Sequence, residues 1–250
     1  MPSSRALAAA YTAPPLSLLA MEPLRAVFDF CAGKFSAAAQ PVGDGHAVIV
    51  FPGLGGAPFT TSHLRSFLRG AGFDAHCWGR GVNTGPEGDF DAWLAGLQGD
   101  VQRHHAATGR TVSLVGWSLG GIYARELAKR APESVRQVIT LGTPFASMRG
   151  STHAETVYKL LNGDVSQLTP RLVARLRETP PVPTTSVYSR SDGVVCWRGC
   201  LEKKTPRSES VEVTASHLGM VTHPDVLRVV VDRLAQPEGR WRPMRRARTR

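Results

Sequence analysis

The chain has 250 residues, 42% of them hydrophobic, and a net charge of +10. That is enough apolar material for one full core, and α/β domains of this length commonly form a single unit. The positive balance does not point to nucleic acid: Arg240, Arg242, Arg245, Arg246, Arg248 and Arg250 supply six of the ten charges in a stretch without acids, and no base-reading motif accompanies them.

Four cysteines, Cys31, Cys77, Cys196 and Cys200, are too few for a disulfide scaffold and lack a zinc spacing. Neither a metal nor another cofactor is expected. Cys196 and Cys200 could close a small loop in an oxidising compartment or stay as two thiols in a reducing one. No apolar run approaches the roughly 18 residues a membrane span requires. Arg5 ahead of Ala6–Ala10 faintly resembles a secretion signal, but Pro14 and Pro15 interrupt it, so a cytoplasmic location is expected, with secretion as the alternative.

Residues 1–15 carry no periodicity. From Leu16 to about Ser36, the apolar positions Leu18, Leu19, Leu24, Val27, Phe28 and Phe35 predict one or two helices, started or broken at Pro23, that pack on the main body. Residues 1–40 are thus expected to be a partly helical extension to a domain over 41–236. His46–Phe51 reads as a strand ending in Pro52-Gly53-Leu54-Gly55-Gly56. A helix carrying Leu64, Phe67 and Leu68 follows, then a short strand over Phe73–Trp78 and a helix from about Phe90 to Ala107 with Trp93, Leu94, Leu97 and Val101 on one face.

Thr111–Arg125 is the most informative stretch. Val112, Leu114 and Val115 make a buried strand, Gly120–Arg130 is helical, and Gly116-Trp117-Ser118-Leu119-Gly120 lies between them. A Gly-x-Ser-x-Gly turn between strand and helix lifts its serine out of the sheet top on a strained backbone, and the helix N-terminus aims free amides at whatever reacts there. Ser118 is therefore a candidate nucleophile.

Val135–Leu141 is a further strand, so strands alternate with helices four times, which predicts a mostly parallel sheet covered on both faces. Residues 146–182 carry two amphipathic stretches, around Val157, Leu160 and Leu161 and around Leu168, Leu172, Val173 and Leu176. They are expected to form a small helical cap over the carboxyl ends of the strands, with ordinary crossover helices as the alternative. Thr184–Ser189 and Ser210–Thr214 are strands followed by Ser191-Asp192-Gly193 and Ser216-His217-Leu218-Gly219. Pro224–Leu234 closes the domain as a helix, and 237–250 reads as a disordered basic tail.

A serine hydroxyl needs a base, and the base works best when a carboxylate fixes its tautomer and stabilises the imidazolium. Ser118, Asp192 and His217 lie just past strands and in the order found in one large hydrolase architecture. Asp164 and Glu202 compete for the acid position and His223 for the base, but His223 precedes Pro224 and reads as the start of a helix.

Through GWSLG at 116–120, PGLGG at 52–56, GTPF at 142–145, SRSDGVV at 189–195 and SHLGM at 216–220, the chain resembles the α/β-hydrolase superfamily, and within it the bacterial lipases and esterases, over roughly Ala47–Leu234. The resemblance implies that Ser118 is the nucleophile, His217 the general base and Asp192 its orienting acid. It also implies an oxyanion hole made by the backbone amides of Leu119 and Leu54. Many lipases have His-Gly where this chain has Pro52-Gly53. Trp117, Leu160, Leu161, Leu172 and Leu176 are candidates to shape a pocket for an apolar acyl chain.

The expected activity is hydrolysis of carboxylic esters through an acyl-enzyme, acting on a small-molecule ester or lipid. Two alternatives stay open at this point: an acyltransferase that passes the same acyl group to an alcohol or amine, and a catalytically silent binding protein on a hydrolase fold.

Overall fold

The computed structural model describes residues 12–34, 42–146 and 169–244. Within them the chain runs through helix α1 (Leu16–Lys34), strand β1 (Ala47–Phe51), α2 (Ser62–Gly70), β2 (Asp74–Cys77), α3 (Phe90–Thr108), β3 (Val112–Trp117), α4 (Leu119–Arg130), β4 (Val135–Leu141), α5 (Pro170–Leu176), β5 (Thr184–Ser189), β6 (Ser208–Val213) and α6 (Pro224–Leu234). The six strands form one parallel sheet in the order β2-β1-β3-β4-β5-β6. β6 begins two residues earlier than the sequence predicts, because Ser208 pairs with Thr184 at the open end of the ladder.

Alternation along the strands sorts their side chains between two covering layers, as the period of two dictates. Val48, Val50, Val115, Trp117, Ile139 and Leu141 face one layer, built by Leu64 and Leu68 of α2 and Val226, Leu227 and Val230 of α6. Ala47, Ile49, Phe51, Val112, Leu114 and Val138 face the other, built by Leu94, Leu97 and Val101 of α3 and Ile122, Tyr123 and Leu127 of α4. Right-handed crossovers explain this division. The step from β1 to β2 moves one way across the sheet, and the steps through α3 and α4 move the other way. The reversal falls between β1 and β3, and at such a switch point the loops after adjacent strands diverge and leave a crevice.

Helix α1 docks in an unexpected manner. It runs unbroken through Pro23, and its apolar residues Leu24, Val27 and Phe28 are 50%, 58% and 65% exposed. The face turned to the body is instead the polar one: Glu22, Arg25 and Asp29, at i, i+3 and i+7, bond to the loops that follow β5 and β6. Burial of apolar surface was the expected basis of docking; specific bonds to backbone groups have taken its place.

Much of the 146–182 segment, including Leu160, Leu161 and Asp164, lies outside the described residues, as do 1–11 and 245–250. Of that segment α5 is described: Leu176 is buried in the α3/α4 layer, and Leu172 packs against the same layer. Among the described residues no helix is long and apolar enough to cross a membrane.

One charged pair sits deep in the structure. Arg125 of α4 is buried, with its guanidinium 3.6 Å above the Phe145 ring, bonded to the Glu178 carbonyl at 3.0 Å and paired with the fully buried carboxylate of Glu202. Burial pushes the Arg125 pKa down and the charge of Glu202 opposes it. Such a pair adds little over an apolar replacement, but half of it alone is costly. We expect Glu202→Ala to lower the unfolding free energy by about 3–5 kcal/mol, and Arg125→Met with Glu202→Leu to cost clearly less than the two single changes together. Strict additivity in urea unfolding would show the pair to be uncoupled.

Candidate active site

Ser118 links β3 to α4 with φ 53° and ψ −122°, and among the described residues it is the one non-glycine with positive φ. The flanking glycines make this turn possible by close approach. A Cβ on Gly116 would lie 2.4 Å from the carbonyl oxygen of Gly120, and one on Gly120 would lie 2.4 Å from that of Phe51 in β1. Helix α4 therefore presses its first turn directly on the sheet, with the Ser118 hydroxyl at the sheet's carboxyl edge.

His217 and Asp192 arrive from two other strand ends. His217 Nε2 lies 3.1 Å from Ser118 Oγ, and His217 Nδ1 lies 2.7 Å from Asp192 Oδ2. The other oxygen of Asp192 accepts from the amides of Val194 and Val195, each at 2.8 Å, which fixes the carboxylate plane. All three residues are buried. Burial pushes the His217 pKa down, but the charge and hydrogen bond of Asp192 and the charge of Glu22 outweigh it, so the pKa is raised above its ordinary value.

The loop after β1 lies against Ser118: a Cβ on Gly53 would be 3.1 Å from Ser118 Cβ. Asn83, fully buried, shapes this loop. Its side-chain amide donates to Pro52 O at 2.8 Å, its carbonyl accepts from Gly55 N at 2.7 Å, and its own N–H donates to Gly56 O at 2.9 Å. Leu54 in this loop is partly exposed, and Leu119 begins α4 beside Ser118. Trp117 packs in the α2/α6 layer and donates its indole N–H to the carbonyl of His217 at 3.0 Å, so its contact is with the backbone of His217 and not with a pocket.

The competing residues go elsewhere. Glu202 is taken by Arg125, and His223 caps α6, where its Nδ1 accepts from Asp225 N at 3.2 Å. Three contributors are not singled out as site residues by the sequence, although Thr143 lies within GTPF at 142–145. Asn83 looks like any loop asparagine. Thr143 donates to the carbonyl of Ser118 at 2.9 Å. Glu22 accepts from the amides of Gly193, His217 and Leu218 at 2.7, 3.0 and 3.0 Å. The i, i+3, i+7 spacing of Glu22, Arg25 and Asp29 is the one signal that could have marked α1.

A second aspartate, histidine and serine also line up, at the amino ends of β1 and β3. His46 Nδ1 is 2.5 Å from Asp44 Oδ1, and His46 Nε2 is 2.8 Å from Ser113 Oγ. His46 and Ser113 are sealed at 1% and 0% exposure, and burial, opposed by the Asp44 hydrogen bond, pushes the His46 pKa down. No positive-φ turn and no helix N-terminus accompanies this Ser113. The chain at Ser118 differs in having both.

No family model matches the chain. Over 93 residues, 37% of its length, it is 40% identical to a triacylglycerol lipase of Pseudarthrobacter phenanthrenivorans and 39% identical to one of Burkholderia plantarii. The chain spans about a quarter of those relatives, 27% and 24% of their lengths. Among solved structures it superposes on the mature form of Bacillus licheniformis lipase BlEst2 with a TM-score of 0.59 at 16% identity, covering 80% of this chain and 96% of that one. It also superposes on Aspergillus fumigatus lipase B with a TM-score of 0.56 at 17% identity, covering 81% and 56%. The parallel sheet, its covering helices and these superpositions together show that the chain has the α/β-hydrolase fold.

Proposed function

We propose that the chain is a serine hydrolase that cleaves carboxylic esters through an acyl-enzyme on Ser118. The observation that carries this reading is the hydrogen-bonded chain from Ser118 through His217 to Asp192 at the carboxyl edge of the sheet. The partial likeness to two triacylglycerol lipases supports the substrate class.

In this reading Ser118 Oγ attacks the ester carbonyl carbon while its proton passes to His217 Nε2, and Asp192 stabilises the imidazolium through Nδ1. The carbonyl oxygen becomes an oxyanion in reach of the amides of Leu119 and Leu54. Collapse breaks the bond to the alkoxy group, which leaves with the proton from His217. Water, deprotonated by the same imidazole, then attacks the acyl-enzyme and releases the acid and Ser118. Apolar acyl chains are the preferred substrates, with Leu160 and Leu161 on the segment proposed to roof or wall their pocket; Leu172 and Leu176 pack in the core layer instead.

Ser118→Ala is expected to keep the fold and lower turnover of p-nitrophenyl esters by about 10⁴- to 10⁶-fold, and a fluorophosphonate should label the wild type at Ser118. Labelling elsewhere, or an active alanine variant, would overturn the assignment.

Only the neutral imidazole can take the proton from Ser118, so activity should be low where His217 is charged and rise as the pH passes its pKa. Because that pKa is raised, the midpoint of the acid limb of kcat/KM should lie above the ordinary histidine value of about 6.5. Asp192→Asn removes the main opposing charge and should move the limb to lower pH while costing about 10²- to 10⁴-fold in turnover. A profile without a limb between pH 5 and 8.5 would count against a histidine base.

Each methylene added to the acyl chain should improve kcat/KM about fourfold until the pocket is full, the equivalent of roughly 0.8 kcal/mol per buried CH₂. A series from acetyl to octanoyl esters with no such rise would remove the apolar preference.

A further inference from the structure

Helix α1 contributes no atom to the proton path, yet three of its side chains converge on the loops that deliver the acid and the base. Arg25 donates to the carbonyl of Ser191 and, at 2.8 Å, to its hydroxyl. Asp29 accepts from Ser216 N at 2.9 Å, next to His217. Glu22, 2% exposed, lies between them, and its two carboxylate oxygens take up amides from both loops: Gly193, beside Asp192, on one side, and His217 and Leu218 on the other. The fit is close. A Cβ on Gly193 would lie 2.5 Å from the carbonyl oxygen of Leu18, and one on Gly219 would lie 2.0 Å from Asp29 Oδ2.

We propose that Glu22 is a positioning residue of the hydrolytic site: its buried carboxylate ties the Asp192 loop to the His217 loop and adds a second negative charge behind the base. The proposal rests on the reading that Ser118 and His217 hydrolyse esters. Two features set Glu22 apart from an ordinary helix anchor. An anchor needs one loop, whereas this carboxylate bridges the two whose separation decides whether His217 Nδ1 meets Asp192. An anchor also needs no charge, whereas a carboxyl side chain is buried here beside a group that becomes cationic in each catalytic cycle.

The groups facing this arrangement set the sign of the effect. Arg25 lies 3.8 Å from Glu22 Oε1 on the same helix. Asp192 and His217 face it from the loops after β5 and β6, and Asp29 lies 3.9 Å from His223 Nε2 at the start of α6. Replacing Glu22 by glutamine removes one anion from a set otherwise unchanged, so the neutral form of His217 is favoured. Of the three amides, Leu218 N–H then meets an NH₂ group and loses its acceptor.

The test compares the full chain with Glu22→Gln and Glu22→Asp. Hydrolysis of p-nitrophenyl butyrate is measured from pH 5 to 9, and the His217 ring is titrated by NMR together with its downfield Nδ1 proton. Glu22→Gln should lower kcat about tenfold with KM within about twofold, and move the His217 midpoint down by roughly 0.5–1 pH unit in both readouts. The Nδ1 proton resonance should weaken. Glu22→Asp, which keeps the charge but shortens the reach, should return the midpoint toward wild type and leave kcat low; it also carries the test if the glutamine variant does not fold. A glutamine variant that loses only thermal stability, with kcat, midpoint and Nδ1 resonance unchanged, would make Glu22 a plain anchor and overturn the proposal. If wild type cleaves no ester while the NMR midpoint still moves, the ester reading falls and the positioning role stands.

Discussion

The turn at Ser118 is the constraint on which the rest of the site depends. A serine at φ 53° stores strain of about 1–3 kcal/mol, and such a conformation persists only where its surroundings over-determine it. Here they do. Its N–H donates to Leu141 O at 2.8 Å in the neighbouring strand, and its carbonyl accepts from Gly121 N at 3.0 Å and Thr143 Oγ1 at 2.9 Å. The turn is tight because the first turn of α4 touches the backbone of β1, and that contact also brings the loop after β1 alongside the serine. Removing the pressure of helix on sheet would dissolve the hydroxyl's position and that of the loop after β1 together.

Placement, more than composition, separates this site from its chemical double at Asp44, His46 and Ser113. Both carry the same three residue types within hydrogen-bonding distance. At the carboxyl edge the strand order reverses between β1 and β3, the place where open α/β sheets generally bind ligands. At the amino edge the histidine and serine are sealed inside the packed layer, with the aspartate at the surface beside them. A parallel sheet is thus asymmetric in what its two ends can do.

Much of this was legible from residues alone. Strands β1, β3, β4 and β5 announce themselves by β-branched residues, and GWSLG declares its turn because both glycines are required by close contacts. Asp192 and His217 stand out because each follows a strand directly. What stayed hidden depends on pairings far apart in sequence. Asn83 is meaningful only once the loop of 52–56 is beside it, and Thr143 only once β4 lies next to β3. For α1 the sequence misleads: an apolar stripe through Leu24, Val27 and Phe28 suggests the docking face, yet these residues point outward, because the carboxylates and the arginine find backbone partners that no local pattern reveals.

The bonds of Glu22 join residues 171, 195 and 196 positions apart. On the ribosome, at roughly 5–20 residues per second, α1 therefore emerges about 10–40 s before the loops it must bridge. Throughout that interval its carboxylate face has no partner, and the strands carrying Ser118 can pair without it. Loop closure over nearly two hundred residues is the entropic cost of docking α1. Because His217 and Leu218 follow β6 in the chain, their bonds to Glu22 can form only once every strand of the sheet has been made.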